Sequence, residues 1–310
     1  MKVLIAGSSG LVGSALVRLY KNLNHHVIGV NTKNLDLFDR EATFKFIADC
    51  NPDLIIDAAA KAGGIQANNL NPTKFLSENL RIQCNLMDAA ANARIEKFVF
   101  LGSSCIYPRD CKQPIKEEYL LTGHLEPTNS AYAIAKIAGI EGIKAVRKQL
   151  GLKWISLMPT NVYGSNDNFN LESSHVLPAI LRKIVEAKED NLARITLWGD
   201  GSSLREFIYA DDLASATEFA VRNYDSNLHL NVGTQTEFTI RDLAEIISKK
   251  VGFEGEIAWD LTKPNGTPRK VLDSSRIYSL GWKPNFDLDR GVDLTLKWYL
   301  RARKEGTVRL

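Results

Sequence analysis

The N-terminal stretch KVLIAGSSGLVGSAL (residues 2–16) constrains this chain more than any other. A short apolar run stops at Gly7, glycines recur at Gly10 and Gly13, and apolar residues at helical spacing follow (Leu11, Ala15, Leu16, Leu19). A strand must therefore turn straight into a helix over a loop with few side chains. Such a loop lets an anion reach the free N–H groups and the positive dipole end of the helix. In this context the pyrophosphate of a dinucleotide fits the spacing. Ser8, Ser9, Leu11 and Val12 complete the turn and are further candidate contacts.

Strand signals recur at HVIGV (26–30), DLIIDAA (53–59), KFVFLGS (97–103) and KWISLMPT (153–160). Helical signals lie between them, over 11–21, around Phe44 to Ala48, and over 73–93 and 130–150. Continuous apolar strands separated by helices predict an α/β fold, a Rossmann-type, doubly wound parallel sheet covered on both faces. After Gly164 the pattern shortens and becomes more polar. Helices are expected at about 176–188, over DDLASATEFAVRN, up to Gly252, and at the C-terminus. This predicts a smaller α+β substrate domain interleaved with the first. Residues 1–165 plus about 206–236 would form the nucleotide domain, and about 166–205 plus 237–310 the substrate domain.

With 310 residues, 45% of them hydrophobic, the chain can bury a sizeable core. A net charge of +3 without a dense basic block argues against nucleic acid. No apolar run approaches the ~20 residues of a membrane span, and no leader pattern opens the sequence. A cytoplasmic protein is expected. The cysteines are Cys50, Cys84, Cys105 and Cys111; they form no C-x-x-C and no zinc-type spacing with histidine, so no metal is expected.

Beyond the second strand the sequence reads Asn31-Thr32-Lys33. No carboxylate there would repel a 2′-phosphate and Lys33 would attract one, which favours NADP over NAD. Asp36 and Leu37 are candidates to line the adenine pocket. Tyr132 and Lys136 form a Y-x-x-x-K pair on one helix face. An ammonium near a phenol is expected to lower the phenol pKa and ready it to exchange a proton with a sugar oxygen. Ser103 sits at the tip of the strand in FLGSSCIYP (100–108), followed by Ser104 and Cys105.

Together with these features, the stretches AAAKAGGIQANN (58–69), EPTNSAYAIAKIAG (126–139), MPTNVYG (158–164), SSHVLPA (173–179), WGDGSSLREF (198–207) and KPNGTPRK (263–270) span nearly the whole chain. They resemble the extended short-chain dehydrogenase/reductases that act on nucleotide sugars, and within these the GDP-L-fucose synthase family. The resemblance implies an NADPH-dependent 3,5-epimerase and 4-reductase acting on GDP-4-dehydro-6-deoxy-D-mannose. It implies Cys105 as base and His175 as acid at C3 and C5, with Ser103 and Tyr132 on the C4 oxygen. Tyr132 would give C4 oxygen its proton, and Lys136 would hold the nicotinamide ribose. It places Ala58, Ala59, Ala60, Leu101, Gly102, Ser103, Ser104, Pro159, Thr160, Asn161, Val162 and His175 along the cofactor. Ser104, Asn161, Lys183, Trp198, Arg205 and Asn265 would meet the GDP-sugar, and the two long helices would build a homodimer.

The arginines familiar in that family are missing from GSSG and from NTK, so Ser8, Ser9, Thr32 and Lys33 are left to hold the 2′-phosphate. A sugar 4,6-dehydratase would need an acid where Ser104-Cys105 stands. A simple 4-epimerase leaves Cys105 and His175 without a task. A non-catalytic NADP-binding scaffold has no need of Ser103, Tyr132 and Lys136 together.

Overall fold

The computed structural model describes residues 1–263 and 265–310, so Pro264, inside the KPNGTPRK stretch, lies outside the described residues. The first half runs β1 (Lys2–Ala6), α1 (Leu11–Asn22), β2 (His26–Val30), α2 (Arg40–Cys50), β3 (Leu54–Asp57), α3 (Ile65–Leu70), α4 (Pro72–Asn92), β4 (Lys97–Leu101), α5 (Ser130–Leu150) and β5 (Lys153–Pro159). The second half runs β6 (Asn161–Tyr163), α6 (Val176–Glu189), β7 (Arg194–Trp198), β8 (Leu204–Tyr209), α7 (Ala210–Asn223), β9 (Leu230–Val232), β10 (Glu237–Thr239), α8 (Ile240–Val251), β11 (Glu256–Asp260), β12 (Arg269–Lys270), α9 (Ser275–Ser279) and α10 (Leu288–Lys304).

Six strands form one parallel sheet in the order β2-β1-β3-β4-β5-β9. Alternate side chains feed two cores, as the two-residue period of a strand requires. Leu4, Ala6, Ile55, Phe98 and Phe100 enter the core beneath α2, α4 and α5. Val3, Ile5, Ile56, Val99 and Leu101 enter the one beneath α1 and α7. The doubly wound α/β expectation therefore holds. The chain leaves β1 in one direction to β2 and in the other to β3, and the crevice at such a switch point is where open α/β sheets bind ligands.

In the second half, β8 pairs with β6, β10 and β12, while β7 pairs with β11. Helices α6, α8 and α10 close a third core around Leu181, Phe169, Ile247 and Tyr299. Helix α8 opens on a Thr239–Asp242 capping box and stops at Gly252 in the left-handed conformation, the stop signal expected there. Sequence periodicity did not announce α3, β6, β8 or β10, although short strands are expected in the last part, 255–310, where β11 and β12 lie. Among the described residues no helix is long and apolar enough to cross a membrane.

Candidate active site

The glycine turn is fixed by backbone contact. Gly7 has φ +74°, and a Cβ on it would lie 2.6 Å from the Ala58 carbonyl oxygen. A Cβ on Gly13 would lie 2.0 Å from the Gly7 oxygen. The Gly10 N–H donates to Gly7 O at 3.0 Å, and Gly10 caps α1 with no side chain over the helix end. The cradle is thus bare backbone N–H facing the crevice, the surface a pyrophosphate needs. Ser8 is anchored by its N–H to Val30 O at 2.9 Å. Lys33 and Asp36 lie in the exposed turn after β2, where Asn31 Oδ1 accepts the Lys33 N–H and Asp36 Oδ1 the Phe38 N–H. Leu37 is buried in the core beneath α2.

The ends of β3, β4 and β5 bring Ala58–Ala60, Leu101–Ser104 and Pro159–Val162 to the same crevice edge. Gly102 leaves room for Met158, whose methyl would lie 2.3 Å from an added Cβ. Thr160 Oγ1 and Asn161 Nδ2 both donate to Glu206 O, at 3.2 and 2.7 Å, which ties the junction of β5 and β6 to β8.

At the tip of β4, Ser103 caps a single 3-10 turn over Ser104–Ile106 and accepts the Cys105 N–H at 3.2 Å. Lys136, buried on α5, donates to Leu101 O at 2.9 Å, and its Nζ stands 5.9 Å from the Tyr132 ring centre. The expected lowering of the Tyr132 pKa is not found. Burial pushes the phenol well above its ordinary value, the Cys105 charge adds to the rise, and hydrogen bonding to Ser103 opposes it. The Lys136 ammonium is turned to a backbone carbonyl, and burial holds its own pKa low.

Two residues that sequence reading had not singled out flank the thiol. Asn129 Nδ2 and Lys270 Nζ lie 3.4 and 3.5 Å from Cys105 Sγ. Both sit inside stretches already quoted, EPTNSAY and KPNGTPRK, but nothing in a linear pattern ties them to a cysteine 24 and 165 positions away. Lys270 also reaches electrostatically to His175. The cleft walls first, and the Lys270 charge second, hold that imidazole below its usual range although it opens to solvent.

His175 is placed by the GG pair. Gly64 N–H donates to Ser173 O at 2.9 Å, and a Cβ on Gly64 would strike the Ser174 oxygen at 2.4 Å. His175 then caps α6 and lines a cleft of ≈ 300 Å³ together with Asn161, Lys183, Trp198, Arg205 and Asn265. Burial lowers the pKa of Lys183 and of Arg205, and the latter also feels the Cys105 charge. Asn265 braces the cleft rim as well as lining it, since its Oδ1 accepts the Asp200 N–H at 2.8 Å and its carbonyl the Ser203 hydroxyl at 2.9 Å. Trp198 lies on the rim, half exposed.

The crevice and cleft can be set beside known proteins. Residues 3–233 match the NAD dependent epimerase/dehydratase family. The chain belongs to that family. "Putative GDP-L-fucose synthase 2" of Arabidopsis thaliana is 50% identical over 300 residues, covering 96% of this chain and 92% of that protein. "GDP-L-fucose synthase" of Escherichia coli K12 is 44% identical, with 96% of each chain covered. A solved GDP-L-fucose synthetase from Naegleria fowleri bound to NADP superposes with a TM-score of 0.91 at 25% identity, covering 100% of this chain and 96% of that one. The residues around Cys105 carry the question of chemistry.

Proposed function

We propose that the protein is a GDP-L-fucose synthase, converting GDP-4-dehydro-6-deoxy-D-mannose to GDP-L-fucose by 3,5-epimerisation and 4-reduction with NADPH. The observation that carries this reading is the placement of Cys105, whose N–H meets Ser103 Oγ and whose thiol lies 3.5 Å from Lys270 Nζ and acts electrostatically on Tyr132, with the same Lys270 acting on His175. Relatives named GDP-L-fucose synthase support it over nearly the full chain.

A C4 ketone acidifies the hydrogens on both neighbouring carbons. Ser103 and Tyr132 hydrogen-bond the C4 oxygen and stabilise the enolate formed when Cys105 removes one of those protons. His175, whose lowered pKa makes its imidazolium the stronger acid, would donate the proton on the opposite ring face. Once the thiol has released that proton to solvent and the imidazole has taken one up, the same exchange at the second carbon completes the inversion. Tyr132, kept as a neutral phenol by burial, then protonates the C4 oxygen. Gly7, Gly10, Gly13, Ala58, Gly102 and Thr160 would hold NADPH by backbone approach, with Lys136 on its ribose and Ser8, Ser9 and Lys33 near its 2′-phosphate. When bound, NADPH supplies the hydride that reduces C4. Arg205, Lys183, Trp198 and Asn265 would receive the GDP portion, where a guanidinium suits a diphosphate.

Residues 1–165 with about 206–236 would act as the nucleotide domain and the remainder as the substrate domain. A cytoplasmic homodimer built on α4 and α5 belongs to the same proposal; Ile134 on α5 is 50% exposed, and light scattering tests the assembly.

The decisive experiment supplies keto sugar and NADPH in deuterated water and identifies the product by NMR. Deuterium at C3 and C5 with reduction at C4 is expected. Cys105→Ser should slow deuterium entry about 100-fold or more, and Tyr132→Phe should suppress reduction more than exchange. Reduction without deuterium entry in the unaltered protein would leave a plain 4-reductase.

A further inference from the structure

Asp57 puts a carboxylate where the end of a core strand calls for an apolar side chain. It closes β3, is 1% exposed, and stands in register with Ala6 on β1 and Phe100 on β4. Its Oδ1 accepts the Ala59 N–H at 3.1 Å, while Oδ2 meets no hydrogen-bond partner among the described residues. An ionised group in such a place is costly unless an opposite charge is near.

That charge lies across one aromatic ring. Phe100 packs on the α5 side of the sheet, and Lys136 Nζ sits 4.8 Å from its ring centre. Paired residues of neighbouring strands point to the same face, so Asp57 and Lys136 flank Phe100 on one side of the sheet. Lys136 is 3% exposed. Each is the charged group that acts on the other, the carboxylate opposing the loss of the lysine proton and the ammonium opposing the gain of a carboxylate proton. Of the remaining groups, Tyr132 faces Lys136 from α5 itself, β4 offers only the Leu101 carbonyl, and Cys105 acts on Tyr132. Helix α4 turns an amide, Gln83, to the Ala135 carbonyl.

We propose that Asp57 is a positioning residue of the reductase centre, the counter-charge that keeps Lys136 protonated at the cofactor crevice. The inference rests on the nicotinamide role given to Lys136 above. It assigns a task to a residue that the glycine turn and the Y-x-x-x-K pair leave unexplained.

The test follows the Lys136 signal by NMR in full-length protein carrying 13Cε-lysine, assigned through Lys136→Arg. Asp57→Asn keeps the acceptor for Ala59 and removes the charge. It should move the Lys136 midpoint down by about one pH unit, because a buried ammonium without its counter-charge gives up its proton more readily. The alkaline limb of the reductive kcat should move down with it, and KM for the GDP-sugar should stay within about twofold. In the unaltered protein the same signal should show an inflection near pH 6, where Asp57 itself titrates. That readout needs neither a variant nor turnover, so failure of the proposed reaction and failure of this inference are separate results. A Lys136 midpoint unmoved in folded Asp57→Asn, or the absence of the inflection, overturns the pairing; lost thermal stability with an unshifted pH profile would mean a purely structural role.

Discussion

The two ends of the crevice are built on different terms. The pyrophosphate turn at the nucleotide end comes from one continuous stretch, residues 2–22, and its geometry is set by side chains that are missing. The sugar end draws Cys105, the Asn129–Tyr132 turn, His175 and Lys270 from four separate segments, and the Cys105–Lys270 contact alone spans 165 positions. One end works by shape, the other by charge. Substitutions should therefore fail abruptly at the first and by degrees at the second.

Gly13→Ala tests the first half of that contrast and carries the largest expected effect. The added methyl would sit 2.0 Å from Gly7 O, and the obstacle is backbone, which cannot swing aside. NADPH affinity, read by nucleotide fluorescence, should fall by more than about 100-fold, since the cradle must deform to admit the methyl. Unaltered binding would show that the pyrophosphate does not use this turn.

Arg205→Gln tests the second half more gently. The guanidinium is largely desolvated in the cleft, and the amide keeps polarity without charge. KM for the GDP-sugar should rise about 10- to 100-fold, the loss of one charge-assisted contact to a diphosphate, with NADPH affinity unchanged. Parallel losses in both ligands would mean that the ends are not independent.

The contrast also governs how much could be read from sequence. Strand β1, its glycines and helix α1 were legible because each constraint lies within a few residues of the next. The parallel sheet followed from apolar runs between helices. Tyr132 and Lys136 were legible as an i, i+4 pair, yet their electrostatics were not. The expected Lys136 effect on the phenol assumed an ammonium aimed at it, whereas the ammonium is bonded to Leu101 O and burial dominates. Lys270 and Asn129 were hidden for the same reason: tertiary packing, rather than spacing, brings them to the thiol. Strand β8 escaped because LREFIY carries charges at positions that pair with β10 and β12 instead of facing a uniform core.

The smallest effect expected concerns stability, and it asks whether the sugar end also stores buried charge. Asp167, 4% exposed, precedes the loop that leads to His175, and the C-terminal residues strap that loop through Phe169 N–H to Arg309 O at 2.8 Å. Its Oδ1 accepts the Asn168 N–H at 2.7 Å, and burial raises the carboxyl to about 7 against the partial relief of Arg309. An unfolded aspartate titrates near 3.9, so between about pH 4 and 7 the native state holds the extra proton and stability falls as pH rises. Asp167→Asn keeps the Oδ1 acceptor and abolishes that slope. Its Tm should match the parent near pH 4 and exceed it by a few degrees above pH 7. His229, held near 4, slopes the opposite way but does so in both proteins and cancels in the difference. A Tm difference that is flat with pH would mean that the Asp167 carboxylate is as well accommodated charged as neutral, and that the cost of charge at this end is confined to the groups around the thiol.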